Sequence, residues 1–336
     1  MSSGIDYKTV KINKIIEMFF HIKMIRRNTL RNVEICVLLC IFAVSFYTFA
    51  RTNREPTPHE LIFQNKLVNI SCHYDDEDNA LPTFEPNFKP GDNSIFFHET
   101  SCKGTLNSRQ MCAIESAARL HRDRLRIKEY AARTPLEPFI EKGTLVNSSW
   151  GIENTSNALR FLTLYKWNGI YLDTDVVVVK SFDSLGGNWV GKEDFEQLNS
   201  AAIALDDYTQ GRQLAKMFLS EIVNNYNSNI WVHNGPGVVT RVLSRYCRTK
   251  YISLMTLAKC QGFSVLDTKY LYPIHYKYRK RYFRPGKIED TPDAYMHHIW
   301  NRLTHHLPVP KDSLYAELAK KYCPSVYELY GDEFGI

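Results

Sequence analysis

No CxxC pair occurs among the eight cysteines, which argues against a structural zinc ribbon. No internal repeat is visible either, so a solenoid or propeller is not expected. Net positive charge is also scarce beyond the first residues. Lys and Arg number 42 against 36 Asp and Glu, and +5 of the resulting +6 lies within residues 1–32. A nucleic-acid-binding surface would spread that excess over the folded part, so no nucleic-acid partner is expected. With 44% apolar and 13% aromatic residues in 336 positions, the chain is not disordered, collagen-like or a disulfide-dense miniprotein.

The basic tail runs straight into Val33–Ala50, an apolar run whose only charge is Glu34. As a helix it would reach about 27 Å, enough for a thin early-secretory bilayer. Basic residues on its N-terminal flank put the tail in the cytosol and the bulk of the chain in the lumen. Ala43-Val44-Ser45 loosely resembles a signal cleavage site, but the preceding leader is long for a cleaved signal peptide. The sequence therefore predicts a single-pass type II anchor. Residues 1–32 form the cytosolic tail, 33–50 the anchor, 51–92 a Pro- and acid-rich stem, and 93–336 the lumenal domain.

That compartment is oxidising, so the six cysteines beyond the anchor are candidates for disulfides. Nearest-neighbour pairing suggests Cys102–Cys112 and Cys247–Cys260, among fifteen complete pairings. Sequons at Asn69, Asn147 and Asn154 become candidate glycosylation sites there.

Order is expected to begin with a short buried strand at Ser94–Phe97. A helix follows over about 109–121, capped by Asn107 or Ser108, and a second over about 157–167, capped by Thr155 or Ser156. Gly169 ends that helix as a left-handed cap, and Ile170–Leu172 reads as a strand. Further helices are expected over 211–226 and from Pro236 to Cys247. Strands alternating with helices argue for an α/β fold around a mainly parallel sheet.

The sharpest chemical signal is Gly169-Ile-Tyr-Leu-Asp173-Thr-Asp175, followed by four valines. In an extended chain residues two apart project to one side, so both carboxylates can converge on one ion. The end of a buried strand is where α/β sheets bind ligands, and hard oxygen donors suit Mg²⁺ or Mn²⁺. Such an ion can bridge a diphosphate as it leaves. Asp76-Glu77-Asp78 repeats the tripeptide in the polar stem, where it reads as a solvated charge run. Asp173-Thr-Asp175 also fits the nucleophile loop of haloacid-dehalogenase-type phosphatases, with Asp206-Asp207 as a distal acidic pair. That reading leaves the anchor unexplained.

Phe96-Phe-His-Glu-Thr-Ser101, Cys112–Arg119, Thr134-Pro-Leu136, Ala158-Leu-Arg160 and Gly169–Asp175 together resemble the animal Golgi α1,4-glycosyltransferase family. Ile230–Pro236, Tyr272-Pro273, His298-Ile-Trp-Asn301 and Tyr322-Cys-Pro324 extend the resemblance over about 94–325. Insect members, associated with N-acetylgalactosamine transfer to glycolipids, are similar around Tyr130–Phe139. The resemblance implies a retaining enzyme of GT-A (Rossmann-like) fold in the Golgi membrane, with its catalytic domain in the lumen. It implies Mn²⁺, UDP-galactose or UDP-N-acetylgalactosamine as donor, and a glycosphingolipid acceptor. Asp173, Asp175 and His298 would hold the metal, the two aspartates forming the catalytic centre. Glu99, Thr100, Asn157, Arg160 and Asp173 would line the donor, and His233, Asn234 and Gly235 the acceptor side. From the residues alone, His298 is not distinguished from His297, His305 or His306.

Three departures from the family pattern stand out. Asn157 replaces the usual Asp before Ala-x-Arg, and Asn168-Gly169 replaces Gly-Gly. Between about 122 and 129 the chain has no apolar run long enough for the family's strand-helix-strand unit. A chain lacking that unit is expected to expose a sheet edge, and an impaired relative that only binds nucleotide sugar or glycolipid is the alternative reading. The basic aromatic stretch His275–Arg284 is expected to be a solvated loop near the acceptor cleft.

Overall fold

The structure, a computed structural model, describes residues 94–98, 100, 106–120, 134–136, 142, 144–145 and 148–335. The tail, the apolar run, the stem, Glu99, Cys102, Asn69, Asn147 and the junction near Arg122 lie outside them. Among the described residues no helix is long and apolar enough to cross a membrane.

The elements run β1 (Ile95–Phe96), α1 (Ser108–Leu120), α2 (Gly151–Trp167), β2 (Gly169–Leu172), β3 (Val176–Val178), β4 (Trp189–Lys192) and β5 (Leu198–Leu205). Then come α3 (Thr209–Asn224), α4 (Pro236–Tyr246), β6 (Ser264–Leu266), β7 (Met296–His298), α5 (Leu314–Tyr322) and α6 (Pro324–Tyr330). The main sheet has the order β1-β2-β5-β4-β6, and β3 pairs with β7 in a separate ribbon.

Connection length sets the direction of each pairing. Helices carry the chain from β1 to β2 and from β5 to β6, and β1-β2 and β4-β6 are parallel. Only Glu193–Gln197 separate β4 from β5, too few residues for a crossover, so that pair is antiparallel. β5 is also antiparallel to β2. The sheet is therefore mixed: two of its four pairings among the described strands are parallel, and β5 runs against both neighbours. In consequence the C-terminal ends of β2 and β4 meet the N-terminal end of β5 along one rim.

All eight residues of β5 are buried, and α2 and α3 pack against each other with Phe161 stacked on Phe218 at 5.5 Å. Gly169 is needed where β2 meets β1. Its φ is +85°, and a Cβ there would lie 2.6 Å from the Ser94 carbonyl oxygen. That carbonyl accepts a hydrogen bond from the Ile170 amide at 2.9 Å.

Asn107 caps α1 reciprocally: its Oδ1 accepts from the Gln110 amide and its own amide donates to Gln110 Oε1. α2 begins at Gly151, six residues before the expected start, with Glu153 in its first turn. Thr155 and Ser156 lie inside the helix rather than capping it. The stretch from Tyr276 to Phe283 is a run of 3₁₀ helix with Arg279 and Tyr282 buried, so it is anchored in the fold rather than a solvated loop.

Two disulfides are present among the described residues. Cys247–Cys260 closes a short loop, as neighbour pairing suggests. Cys112 pairs with Cys323 instead of Cys102, across 211 residues of sequence. Beside it both Glu115 oxygens accept backbone amides, those of Ser325 and Val326, at the start of α6. A carboxylate at a helix N-terminus is favoured by the dipole, so α1 and the C-terminal helices are held by charge as well as by sulfur.

Candidate functional site

β2 delivers Asp173 to the rim, where its amide donates to the Ala201 carbonyl at 2.8 Å. The chain then turns: the Val176 amide bonds back to the Asp173 carbonyl at 3.3 Å, and β3 leaves to pair with β7. Asp173 and Asp175 thus meet across a turn, not along one face of an extended strand. Register places Val176 opposite His298. Ligand atoms of Asp173, Asp175 and His298 consequently all lie within 4.8 Å of one another.

Each ligand candidate is held by its own partners. Asp175 Oδ1 lies 3.1 Å from His298 Nε2, and its Oδ2 accepts the Asn301 amide at 2.6 Å. His298 is 7% exposed, tilted against Trp300 at 4.0 Å and edge-on to Tyr272. Trp300 holds a left-handed backbone, φ +58°, fixed by its indole N–H to the Ile274 carbonyl at 2.9 Å. Burial alone would lower the His298 imidazole, but the Asp175 carboxylate outweighs it and raises the ring above its ordinary value. Burial likewise pushes Asp175 up, while His298 and the hydrogen bonds to the carboxylate bring it down on balance.

Two carboxylates and one imidazole within reach of each other fit a divalent cation of Mn²⁺ type. His298 Nδ1 is buried without a hydrogen-bond partner among the described residues, so the ring is held by its Nε2 contact to Asp175 and by the flanking Trp300 and Tyr272 rings.

Arg160 is the largest surprise. It is 4% exposed, and all three guanidinium nitrogens are engaged. Nη1 donates to the Ser200 carbonyl and Oγ at 2.6 and 3.0 Å. Nη2 bonds Ser156 Oγ at 3.0 Å and pairs with Asp173 Oδ1 at 3.0 Å, and Nε reaches the Ser156 carbonyl. Its guanidinium also covers the Tyr171 ring, whose hydroxyl donates to the same Asp173 oxygen at 2.7 Å. Arg160 therefore fixes the Asp173 carboxylate; no N–H is left over for a diphosphate in this arrangement. Tyr171, Ser156 and Ser200 were not singled out from sequence, because nothing in their spacing marks them.

The other expected residues divide. Thr100 donates to the Ile152 carbonyl at 3.2 Å, tying the end of β1 to α2. Gly235 lies against Asn157 and Ser200: a Cβ there would sit 2.3 Å from Asn157 Oδ1. This brings the expected donor-side and acceptor-side segments into contact. Asn234 is fully buried, its amide donating to Asn154 Oδ1 at 2.9 Å and the Asn227 carbonyl at 2.7 Å, so it braces the loop and does not face an acceptor. His233 Nε2 lies 2.7 Å from the Asn225 carbonyl. Asn154 is fully buried too and bonds Ser148 Oγ at 2.7 Å, which leaves no room for a glycan at that sequon.

The phosphatase pattern fails on position. Leu205 pairs with Gly169, so Asp206 stands at the opposite end of β5 from Asp173. There its Oδ1 accepts the Tyr208 and Gly211 amides at the start of α3.

The family model described as "Alpha 1,4-glycosyltransferase conserved region" matches residues 207–330, and that described as "Glycosyltransferase sugar-binding region containing DXD motif" matches residues 107–194. The chain is 30% identical over 275 residues to mouse lactosylceramide 4-alpha-galactosyltransferase, covering 70% of this chain and 75% of that protein. To the human protein of the same description it is 28% identical over 344 residues, covering 88% of this chain and 93% of the relative. Because 344 aligned positions exceed the 336 residues of this chain, the alignment opens gaps on this side. Human alpha-1,4-N-acetylglucosaminyltransferase is 25% identical over 180 residues, about half of each chain.

Proposed function

The chain belongs to the alpha 1,4-glycosyltransferase family, and from that premise we propose that it moves galactose or N-acetylgalactosamine from a UDP-sugar onto the terminal sugar of a glycosphingolipid, in α1,4 linkage with retention. The observation that carries this reading is the convergence of Asp173, Asp175 and His298 at the sheet rim. A divalent ion, Mn²⁺ by preference, supplies charge for the departing diphosphate when it is bound there. The protein's own part is preorganisation. Arg160 and Tyr171 grip one oxygen of Asp173 and the Asn301 amide holds Asp175 Oδ2, so both carboxylates are positioned in advance, while the His298–Asp175 contact is the one an ion would replace. The basic tail and the apolar run at 33–50 support a type II anchor in the Golgi membrane with the site in the lumen.

The test uses the full chain in detergent with Mn²⁺, each UDP-sugar in turn, and a lactosylceramide acceptor. Sugar transfer that Asp173→Ala abolishes supports the reading; no transfer from any donor overturns it. A binding-only relative is the second reading, favoured by the gaps on this chain's side of the alignment and by the uncharged Asn157. It predicts Mn²⁺-dependent UDP-sugar affinity without transfer.

A further inference from the structure

Along the rim that carries Asp173, one more carboxyl is built in and unused by the metal site. β4 ends at Lys192, opposite Leu198 at the start of β5, and Glu193 is the next residue. Three residues along β5 from Leu198, the Ala201 carbonyl accepts the Asp173 amide, so both carboxyls stand at the same end of the two strands that flank β5. Glu193 is 7% exposed.

Its Oε2 accepts Asn199 Nδ2 at 2.7 Å and Gln197 Nε2 at 3.2 Å. Its Oε1 makes no hydrogen bond among the described residues, and no cation pairs with the group there. The turn that bears it is braced. The Glu193 amide bonds the Gln197 carbonyl at 2.9 Å, and Asp194 Oδ1 accepts the Glu196 and Gln197 amides. Asp194 Oδ2 faces His275 Nε2 at 3.5 Å across to the next loop. Burial raises the Glu193 carboxyl, and its charge acts on His298, a member of the candidate metal cluster, and on Tyr272 beside it.

A carboxyl held by two neutral amides, without a cation and with one oxygen unspent, gives the fold little in return for its desolvation. The same arrangement is what a hydroxyl-bearing ring needs: a fixed acceptor at the rim of a site that binds a sugar. We propose that Glu193 is a sugar-binding residue, its Oε1 accepting a hydrogen bond from a hydroxyl of the pyranose that lies beside the metal ligands, with Asn199 and Gln197 orienting it. The inference rests on the glycosyltransferase reading above, and the pyranose is either the one transferred or the one receiving it.

The test is Glu193→Gln in the full chain, which keeps the shape and an acceptor for both amides but places an amide nitrogen where an oxygen was free. Transfer from the UDP-sugar to lactosylceramide is expected to lose about tenfold to a hundredfold in kcat/KM, the range for a hydrogen bond to a charged group. Thermal stability, Mn²⁺ affinity and affinity for UDP alone are expected to hold. A rise in KM confined to the UDP-sugar assigns the hydroxyl to the donor, and one confined to the glycolipid assigns it to the acceptor. Unchanged kinetics, or a loss matched by equal losses of Mn²⁺ or UDP affinity, overturns the proposal. If the unsubstituted chain transfers nothing, the functional reading fails separately. Glu193 is then tested by binding of UDP-sugar and of lactosylceramide: weaker binding of either by the variant supports the assignment, and equal binding of both overturns it.

Discussion

Arg160 Nη2 and Asp173 Oδ1 stand 3.0 Å apart in a pair whose arginine side chain is 5% exposed and whose aspartate side chain is 24% exposed. The pair joins α2 to the rim of the sheet, and the tyrosine beneath it bonds the same oxygen. One oxygen of the Asp173 carboxylate is thus committed to the protein.

Arg160→Lys is expected to behave almost as badly as Arg160→Ala. A lysine cannot serve Ser156, Ser200 and Asp173 together from one ammonium. The expected loss is about 3 kcal/mol, the low end for a buried pair because Asp173 keeps some solvent. Denaturant unfolding measures that loss, and Mn²⁺ titration should show weakened affinity in both variants. Wild-type stability and Mn²⁺ affinity in Arg160→Lys would rule the arrangement out.

The metal-free protein should depend on pH in two directions. His298 sits above its ordinary 6.5, so its contribution to stability is complete below that value and is lost as pH rises through the folded one. Asp175 sits below its ordinary 3.8, so its contribution is present above that value and is lost as pH falls through the folded one. Melting with a chelator across pH 3–9 is expected to show both losses, with His298→Asn removing the alkaline one. Because Mn²⁺ competes with the His298 proton, its affinity should grow with pH over the same alkaline limb.

Non-reducing peptide mapping is expected to recover Cys112 linked to Cys323. In the chain-entropy account a bridge across so long a loop contributes about 5 kcal/mol, so Cys323→Ser should unfold at much lower denaturant. A Cys102–Cys112 peptide would contradict the structure.

Glycopeptide analysis of the secretory-pathway product should find Asn154 bare. Asn154→Ala removes one hydrogen-bond partner each from the buried Asn234 amide and the Ser148 hydroxyl, and is expected to cost about 1–3 kcal/mol in unfolding measurements. A glycan at Asn154 in folded, active protein would refute its burial.

Gly235→Ala should impair function with little change in helix content. Its new methyl would press on Asn157 Oδ1 and Ser200 Oγ, and Ser200 in turn holds Arg160. Activity near wild type would show that the loop yields without disturbing Asp173.

Local pattern carried what is local. Hydrophobic period marked α1, α3 and α4 to within a few residues, and Gly169 marked the helix-to-strand switch, since only backbone sterics decide there. The acidic tripeptide after a buried strand was legible as a pair of convergent carboxylates, because residue type and strand position are local. Its geometry was not. The turn at Asp173–Val176 and the pairing of β3 with β7 bring in His298, 123 residues away, and no spacing rule reaches that far. Arg160 illustrates the same limit: the sequence showed an arginine on a helix, and only packing against Tyr171 and Ser200 made it a brace for Asp173. Cys112 chose Cys323 over a nearer cysteine because α1 lies against α5 and α6. Residue type and period fix which chemistry is present. Which groups share a site is decided by long-range contacts, whose energies belong to the assembled fold and to no segment alone.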